Sequence, residues 1–441
     1  MKKFLFITYY FPPAGGPSVQ RIIRIIQHLA KSGWHCVVLT VNEGDYTTVD
    51  PQLIERVPAN TQVIRTDFFE PYKLYRKFTG KKKEEKIPLA VLSSHSKASW
   101  KEKIANTIRM NLFIPDGRIG WYRQGVKAGI KAIKNDPDIK LVLSSGPPHT
   151  VHLIANTIAR KTGLPFVADF RDPWINIDYY SDIKRNPLTV AFDRYLEGKV
   201  LSKANAITTV SPGYLKQLVS GHKNIDHNKA HIIYNGFDAE VYPKVRPEPP
   251  KEKFILTYIG NLPFNRYTPM LYQVIAQLKQ DNLIQSNNFE LRFYGNVDQN
   301  IRDDLEKFNI SDFLHFHNFV PHQQAIIEIC QSHMLLLIIN DTRTRNDIIP
   351  GKLFEYLGSK RKIICIGPEQ GETAKIISET NSGVTYDYKN VHDLKRYLTK
   401  QTQSWQKGKW QPSDSTQTEK YNGYEQLKQL NKIFENLLSK H

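Results

Sequence analysis

Cysteine is scarce in this chain of 441 residues, and the three present, Cys36, Cys330 and Cys365, lie far apart in apolar segments. The spacing excludes a disulfide framework and a cysteine-based structural metal site; it fits three buried free thiols in a reducing compartment. No apolar run approaches the roughly 20 residues needed to span a bilayer, so no membrane-crossing helix is expected. The opening MKKFLFITYYFPPAGG sets two lysines before an apolar run, as an export signal does, but Pro12 and Pro13 break the run and no small-residue cleavage site comes after it. A buried first strand and a cytoplasmic location are the expectation. Neither G-x-G-x-x-G nor a Gly-Lys-Ser/Thr phosphate loop occurs, which removes support for a dinucleotide-binding fold or a P-loop ATPase. Acids are in deficit too: 43 Asp and Glu face 61 Lys and Arg, a formal charge of +18. Such an excess suits nucleic acid, an anionic bilayer surface or a phosphorylated small molecule, and equally a basic solvated surface with no partner.

Apolar runs rich in β-branched and aromatic residues are what the chain has in quantity. KFLFITYY, HCVVLTV, TQVIRT, IKLVLSSG, PFVADF, AITTVS and HIIYNG alternate with helical patterns such as VQRIIRIIQHLAKSG, where Ile22, Ile23, Ile26 and Leu29 form one stripe. Near-continuous hydrophobicity of this kind marks strands buried on both faces of a parallel sheet, hence a doubly wound α/β unit. After the proline-rich and charged NGFDAEVYPKVRPEPPKEK the alternation restarts with FILTYIGN, FELRFYGN, FLHFHNFV, MLLLIIN, KIICIG and GVTYDY. Two α/β units joined near residue 245 are expected: an N-terminal one over 1–240 and a C-terminal one over 250–400. Residues 78–99 read as a mobile insertion, 401–418 as loop, and 419–441 as a closing amphipathic helix. Between insertion and core, WKEKIANTIRMNLF repeats Trp100, Ile104, Ile108 and Leu112 at four-residue steps among basic residues, a pattern that fits an anionic membrane surface or a core-facing helix equally well.

Several strand ends carry groups suited to chemistry. In DIIPGKLFEYL, Pro350 and Gly351 open a helix whose free first-turn amides suit phosphate oxygens, and Lys352 adds a positive charge there. Glu355, one turn inside, is placed to accept hydrogen bonds from paired ribose hydroxyls, while Asp347 precedes the helix in a loop leaving a strand, where open α/β sheets bind ligands. YIGNLPFNRY ends a buried strand in Gly260 and Asn261 with Arg266 close behind, a natural diphosphate clamp, and Gly295 ends the next strand. In the first unit, Gly15 and Gly16 separate a strand from a helix and permit close approach of an anion or sugar. His149 and His152 come after one strand; Asp169, Arg171, Asp172 and Trp174 come at the end of the next. For His149 a substrate-facing base and a packed ring are both open, and for Arg171 with Asp172 an internal salt bridge competes with an acceptor-side role.

The order FPPAGGPSVQR, DFRDPW, ANAITTVSPGYLKQL, IIYNGFD, YIGNL, LRFYG and PGKLFEYLGSKRKII resembles the family 4 glycosyltransferases, retaining enzymes of the GT-B fold, over most of the chain. The resemblance implies two Rossmann-like domains about a cleft, a nucleotide diphosphate sugar as donor with no cofactor, and a closing helix that crosses back to the first domain. It places the family's acid-x7-acid pair on Asp347 and Glu355, the first near the donor sugar and the second at the ribose; the usual first acid is Glu, one methylene longer. The family's diphosphate-binding Arg and Lys fall on Asn261 and at or beside Tyr267, neither of them basic, so Arg266 or Lys352 takes their place. Gly15 and Gly16 match the loop near donor phosphate and acceptor, and Asn235, Gly236 and Asp238 take a structural role. The family likeness further implies metal-independent hexosyl transfer with retained configuration, with His149, Asp172 and Asp347 as catalytic candidates. The acceptor implied is a saccharide or lipid carrier in cell-surface polysaccharide or lipopolysaccharide synthesis, reached by peripheral association with an anionic membrane. A nucleotide-sugar epimerase of the same fold is the rival reading; a nucleotide- or nucleic-acid-binding protein lacks any recognised motif.

Overall fold

The computed structural model describes residues 2–46, 48–67, 111, 113–175, 185–222, 225–413 and 416–440. The insertion read over 78–99 and nearly all of the basic helix read over 100–113 lie outside them. The chain divides into two units, Met1–Tyr234 with Leu427–His441, and Asn235–Gln426.

The first unit is a seven-stranded parallel sheet in the order β3-β2-β1-β4-β5-β6-β7, formed by β1 (Lys2–Ile7), β2 (Trp34–Val41), β3 (Gln62–Thr66), β4 (Ile139–Gly146), β5 (Phe166–Phe170), β6 (Ala206–Thr209) and β7 (Ala230–Ile232). Alternation along β1 explains why both faces are apolar: Leu5 and Ile7 join Val37, Leu39 and Ile154 on one side, while Phe4 and Phe6 join Val38, Leu141 and Leu143 on the other. Leu427, Leu430, Ile433 and Phe434 of the closing helix Gly423–Leu438 complete that second side, with Phe434 edge-on to Phe4.

The second unit repeats the topology with six parallel strands in the order β10-β9-β8-β11-β12-β13: β8 (Phe254–Ile259), β9 (Phe289–Tyr294), β10 (Leu314–His317), β11 (Met334–Ile338), β12 (Lys362–Ile366) and β13 (Gly383–Tyr386). In both sheets the order reverses between the first and fourth strands, β1/β4 and β8/β11, and ligands of open α/β sheets bind at the carboxyl side of such a reversal. The architecture is the α/β, doubly wound pair of the GT-B fold.

The structure differs from the sequence expectation in two places. Burial on both faces holds for the inner strands, but the edge strands β3, β7, β10 and β13 are mostly half-buried, since each has a neighbour on one side only. The stretch 401–418 is not all loop: the helix Val391–Gln406 runs into it and buries Gln401 and Thr402, because Leu394 and Leu398 extend the same face against the second core. Gly236 has a φ of 62°, and a side chain there would strike the backbone of Gly423 and Tyr421; Asp238 accepts a hydrogen bond from the Glu240 amide at 3.1 Å.

Candidate functional site

In the second unit the strand-end residues converge at the β8/β11 reversal. Gly260 and Gly295 come directly after β8 and β9 with φ of 98° and 121°, a region L side chains avoid. A Cβ on Gly295 would lie 2.9 Å from the Gly260 carbonyl carbon, and one on Gly260 would lie 2.7 Å from Lys352 Cε, so this apposition depends on both glycines. Asn261 lies in the same turn and its Oδ1 accepts the Asn296 amide at 3.2 Å. Helix Gly351–Ser359 starts after Pro350 with no side-chain cap and no acid in its first turn, and nothing lies within 4 Å of a Cβ built on Gly351. The helix start is thus uncapped and uncrowded at Gly351, and free first-turn amides of this kind suit anionic oxygens.

Two cations share one phenol beside that helix end. Lys352 Nζ donates to Tyr258 Oη at 2.9 Å and sits 4.0 Å from the ring centroid; Arg266 Nη1 donates to the same oxygen at 3.4 Å, and Arg266 Nε to Asn340 Oδ1 at 2.6 Å. The Tyr258 proton goes to the Asn261 carbonyl at 2.9 Å, so its hydroxyl faces the cations as an acceptor. Among the described residues neither cation forms an ion pair with a carboxylate. Burial, then the charge of Arg266, pushes the Lys352 amine down to about 7. An anion would supply the missing counter-charge and restore the proton. Pyrophosphate is therefore expected to bind more weakly as pH rises through about 7, with proton uptake on binding above that value, and Lys352→Met should flatten this dependence in calorimetric titrations.

Glu355 lies one turn into the helix, with Oε1 3.1 Å from His322 Nε2, both side chains about a third exposed, and its backbone carbonyl accepts the Tyr242 hydroxyl at 2.7 Å. Asp347 ends a short 3-10 turn, Arg345–Asp347, with its amide bonded to the Thr344 carbonyl at 2.8 Å. Tyr258, His322 and Asn340 join the site without any motif to mark them. Tyr258 reads as an ordinary core aromatic of a strand, and only its position at the strand's end hints otherwise. Tyr267, at or beside which the resemblance puts a second cation, donates its hydroxyl to Asp304.

In the first unit the candidates separate into interior and accessible groups. Asp169 is 2% exposed. Its oxygens accept from Arg21 Nη2 at 3.0 Å, Ser145 Oγ at 2.7 Å and Thr208 Oγ1 at 2.7 Å. Burial alone would raise its pKa, but Arg21 and these donors outweigh it and hold the carboxyl below the usual range. Asp169 is thus an interior post, not a group a substrate reaches. Arg171 does not bridge to Asp172; it donates to the Gly146 carbonyl at 3.1 Å and the Pro147 carbonyl at 2.7 Å, fixing the turn after β4. His149 is buried and stacked on Trp174 at 4.8 Å and 8°, and burial pushes its pKa down to about 3, so it is neutral at physiological pH. His152 lies deeper, its Nδ1 2.7 Å from Ser144 Oγ, and burial holds it well below the ordinary value. Asp172 remains half-buried at the sheet's carboxyl edge with its pKa raised by burial against the pull of Arg171. Nearby, Asp116 caps the helix Thr150–Thr162 through the Thr150 amide at 2.9 Å, and Arg118 lies over the Tyr9 ring at 4.8 Å. The charged turn Pro115–Arg118 is the only sequence signal for these two. A Cβ added to Gly15 would lie 3.2 Å from Asp50 Cβ, while Gly16, with φ 95°, precedes the uncapped N-terminus of helix Pro17–Lys31.

Residues 86–241 match the family model described as Glycosyltransferase Family 4. Over those residues the chain is similar to glycosyltransferase family 4. A sequence search of curated proteins finds no match. Among solved structures, a sucrose-phosphate synthase from Thermosynechococcus elongatus is similar at 12% identity and TM-score 0.62, with 100% of each chain covered. Anabaena Alr3699/HepE, solved in complex with UDP-glucose, is similar at 12% and 0.60, again with 100% of each chain covered. A putative UDP-N-acetylglucosamine 2-epimerase from Listeria monocytogenes is similar at 11% and 0.55, covering 100% of this chain and 98% of its own. At such identity these likenesses show the fold alone, one that enzymes of more than one reaction type share. Among the described residues no helix is long and apolar enough to cross a membrane.

Proposed function

We propose that the protein is a retaining glycosyltransferase that moves a hexosyl unit from a nucleotide diphosphate sugar to a saccharide or lipid-linked acceptor. The observation that carries this reading is the pair of cations, Lys352 and Arg266, held on one phenol beside an open helix end with no carboxylate partner among the described residues. Negative charge builds on the leaving diphosphate as the glycosidic bond breaks. Donors oriented before the reaction stabilise that charge without reorganising. Lys352, Arg266 and the amides of Gly351 and Lys352 are those donors; Gly260 and Gly295 keep the backbone low enough for the diphosphate to approach. Glu355 grips the ribose, with His322 turning its carboxylate, and Asp347 stands toward the sugar. These side chains supply the charge that a divalent ion would otherwise bring, so turnover in chelator is part of the reading.

Retention of configuration rests on the family resemblance, and the leaving phosphate itself suits deprotonation of the acceptor hydroxyl. Where a side chain assists, the half-buried Asp172 with its raised pKa is better placed than the neutral, stacked His149. Cell-surface polysaccharide or lipopolysaccharide synthesis at the inner face of the cell membrane fits the charge of +18. The test is release of nucleoside diphosphate from a panel of donor sugars, with and without a saccharide acceptor. Acceptor-dependent release with an α- or β-product matching the donor anomer supports transfer; inversion at a sugar carbon without acceptor supports the epimerase. Glu355→Ala is expected to raise donor KM about 10–100-fold, the worth of hydrogen bonds to a charged group. Pyrophosphate affinity should be unchanged in that variant, because Glu355 serves the ribose and not the phosphates.

A further inference from the structure

Helix Pro187–Lys203 of the first unit carries apolar side chains on its outer face as well as its inner one. Its two acids point inward: Asp193 accepts from Trp174 Nε1 and Arg185 Nη2, each at 2.6 Å, and Glu197 meets His222 Nε2 at 2.8 Å. Of its large apolar side chains, Val200 and Leu201 are buried in the core, whereas Leu188 at 78%, Phe192 at 50% and Tyr195 at 59% exposure point outward. Steps of four and three residues put them on one stripe. The Phe192 and Tyr195 rings lie stacked at 6.3 Å, and Lys199 Nζ rests 5.7 Å from the Tyr195 centroid. Of the eight exposed large hydrophobic side chains among the described residues, three fall on this stripe. Lys199 and Lys203 continue it and Arg194 flanks it; the stripe itself carries no acid.

We propose that this face docks on an anionic lipid bilayer, with Leu188, Phe192 and Tyr195 entering the acyl boundary and Lys199 and Lys203 meeting headgroup phosphates. Leucine and aromatic side chains beside lysines suit a bilayer surface, where aromatic rings sit at headgroup level and lysine stems run along apolar surface. A second copy fits poorly: a chain of charge +18 repels itself, and three side chains fall well short of the roughly 800 Å² per partner that a stable interface buries. The proposal takes its purpose, a lipid-linked acceptor, from the transferase reading, but its chemistry stands apart from it. It places a membrane contact on a helix of the first unit, apart from the stretch around residues 100–113.

The full-length protein is sedimented with phosphatidylcholine vesicles with and without phosphatidylglycerol. Binding to the anionic vesicles alone is expected, weakening with salt. The variant L188S/F192S/Y195S should lose about tenfold or more of that binding, with thermal midpoint and pyrophosphate affinity kept; F192S alone serves if the triple variant misfolds. No vesicle binding, equal binding to both vesicle types, or undiminished binding by the variants overturns the proposal. So does dimerisation in light scattering that the same substitutions abolish. Donor turnover without vesicles reports on the transferase reading independently.

Discussion

Lys352→Met is expected to lower kcat for sugar transfer by about 10²–10³-fold, the range found when one preorganised donor to a developing oxyanion is removed. The same protein should melt no lower than wild type. Both halves come from the amine's setting. Burial holds the folded-state pKa near 7 while the unfolded chain keeps the ordinary lysine value, so between those values the unfolded state binds more protons and stability rises with pH. The amine thus weighs against folding most fully below about pH 7, and methionine, similar in length and helix propensity, removes that penalty. A wild-type melting curve that gains stability between neutral and alkaline pH, and a variant that gains less, would tie the loss of turnover to the charge. Lys352→Met turning over at the wild-type rate would remove the diphosphate clamp from this helix end. Arg266→Met is the companion: the two cations share the Tyr258 oxygen, so the double variant should lose less than the product of the single losses.

All thirteen described strands are legible as apolar runs, because a parallel sheet covered on both faces leaves little room for polar residues. Helix Gly351–Ser359 is legible for a different reason: Pro350, Gly351 and Lys352 are turn, amide and charge in consecutive positions. Partnerships are not legible. Lys352 and Tyr258 are 94 residues apart, and nothing in FILTYIGN marks its tyrosine as the seat of a cation. His322 and Glu355 come from different helices, and the strand-end histidines and acids of the first unit divide by burial, which a single sequence does not report. Helix Pro187–Lys203 shows the limit most plainly. Leu188, Phe192 and Tyr195 share one face at helical spacing yet lie exposed, while Asp193 and Glu197 lie inside with Val200 and Leu201 because Arg185, Trp174 and His222 supply their partners. Periodicity gives two faces and does not say which is inside.

Asp169→Ala is expected to cost about 3–5 kcal/mol, the penalty for stranding one member of a buried ion pair. The stranded member is Arg21, which is buried and would keep the carbonyls of Ile233 and Tyr234, at 3.3 and 3.2 Å, while losing this carboxylate. Ser145 and Thr208 would lose their acceptor as well. Because the folded carboxyl titrates below its unfolded value, its contribution is fully present above the unfolded pKa and fades as pH falls through the folded one. The gap between wild-type and variant midpoints should therefore be widest near neutrality and narrow in acid. Asp169→Asn keeps shape and part of the bonding, so it should fall between the two. Acceptor KM, measured well below the variant's melting temperature, should hardly move. A variant that melts with the wild type and loses acceptor binding instead would make Asp169 a substrate contact, and would require the sheet edge between β4 and β5 to open far more than its packing indicates.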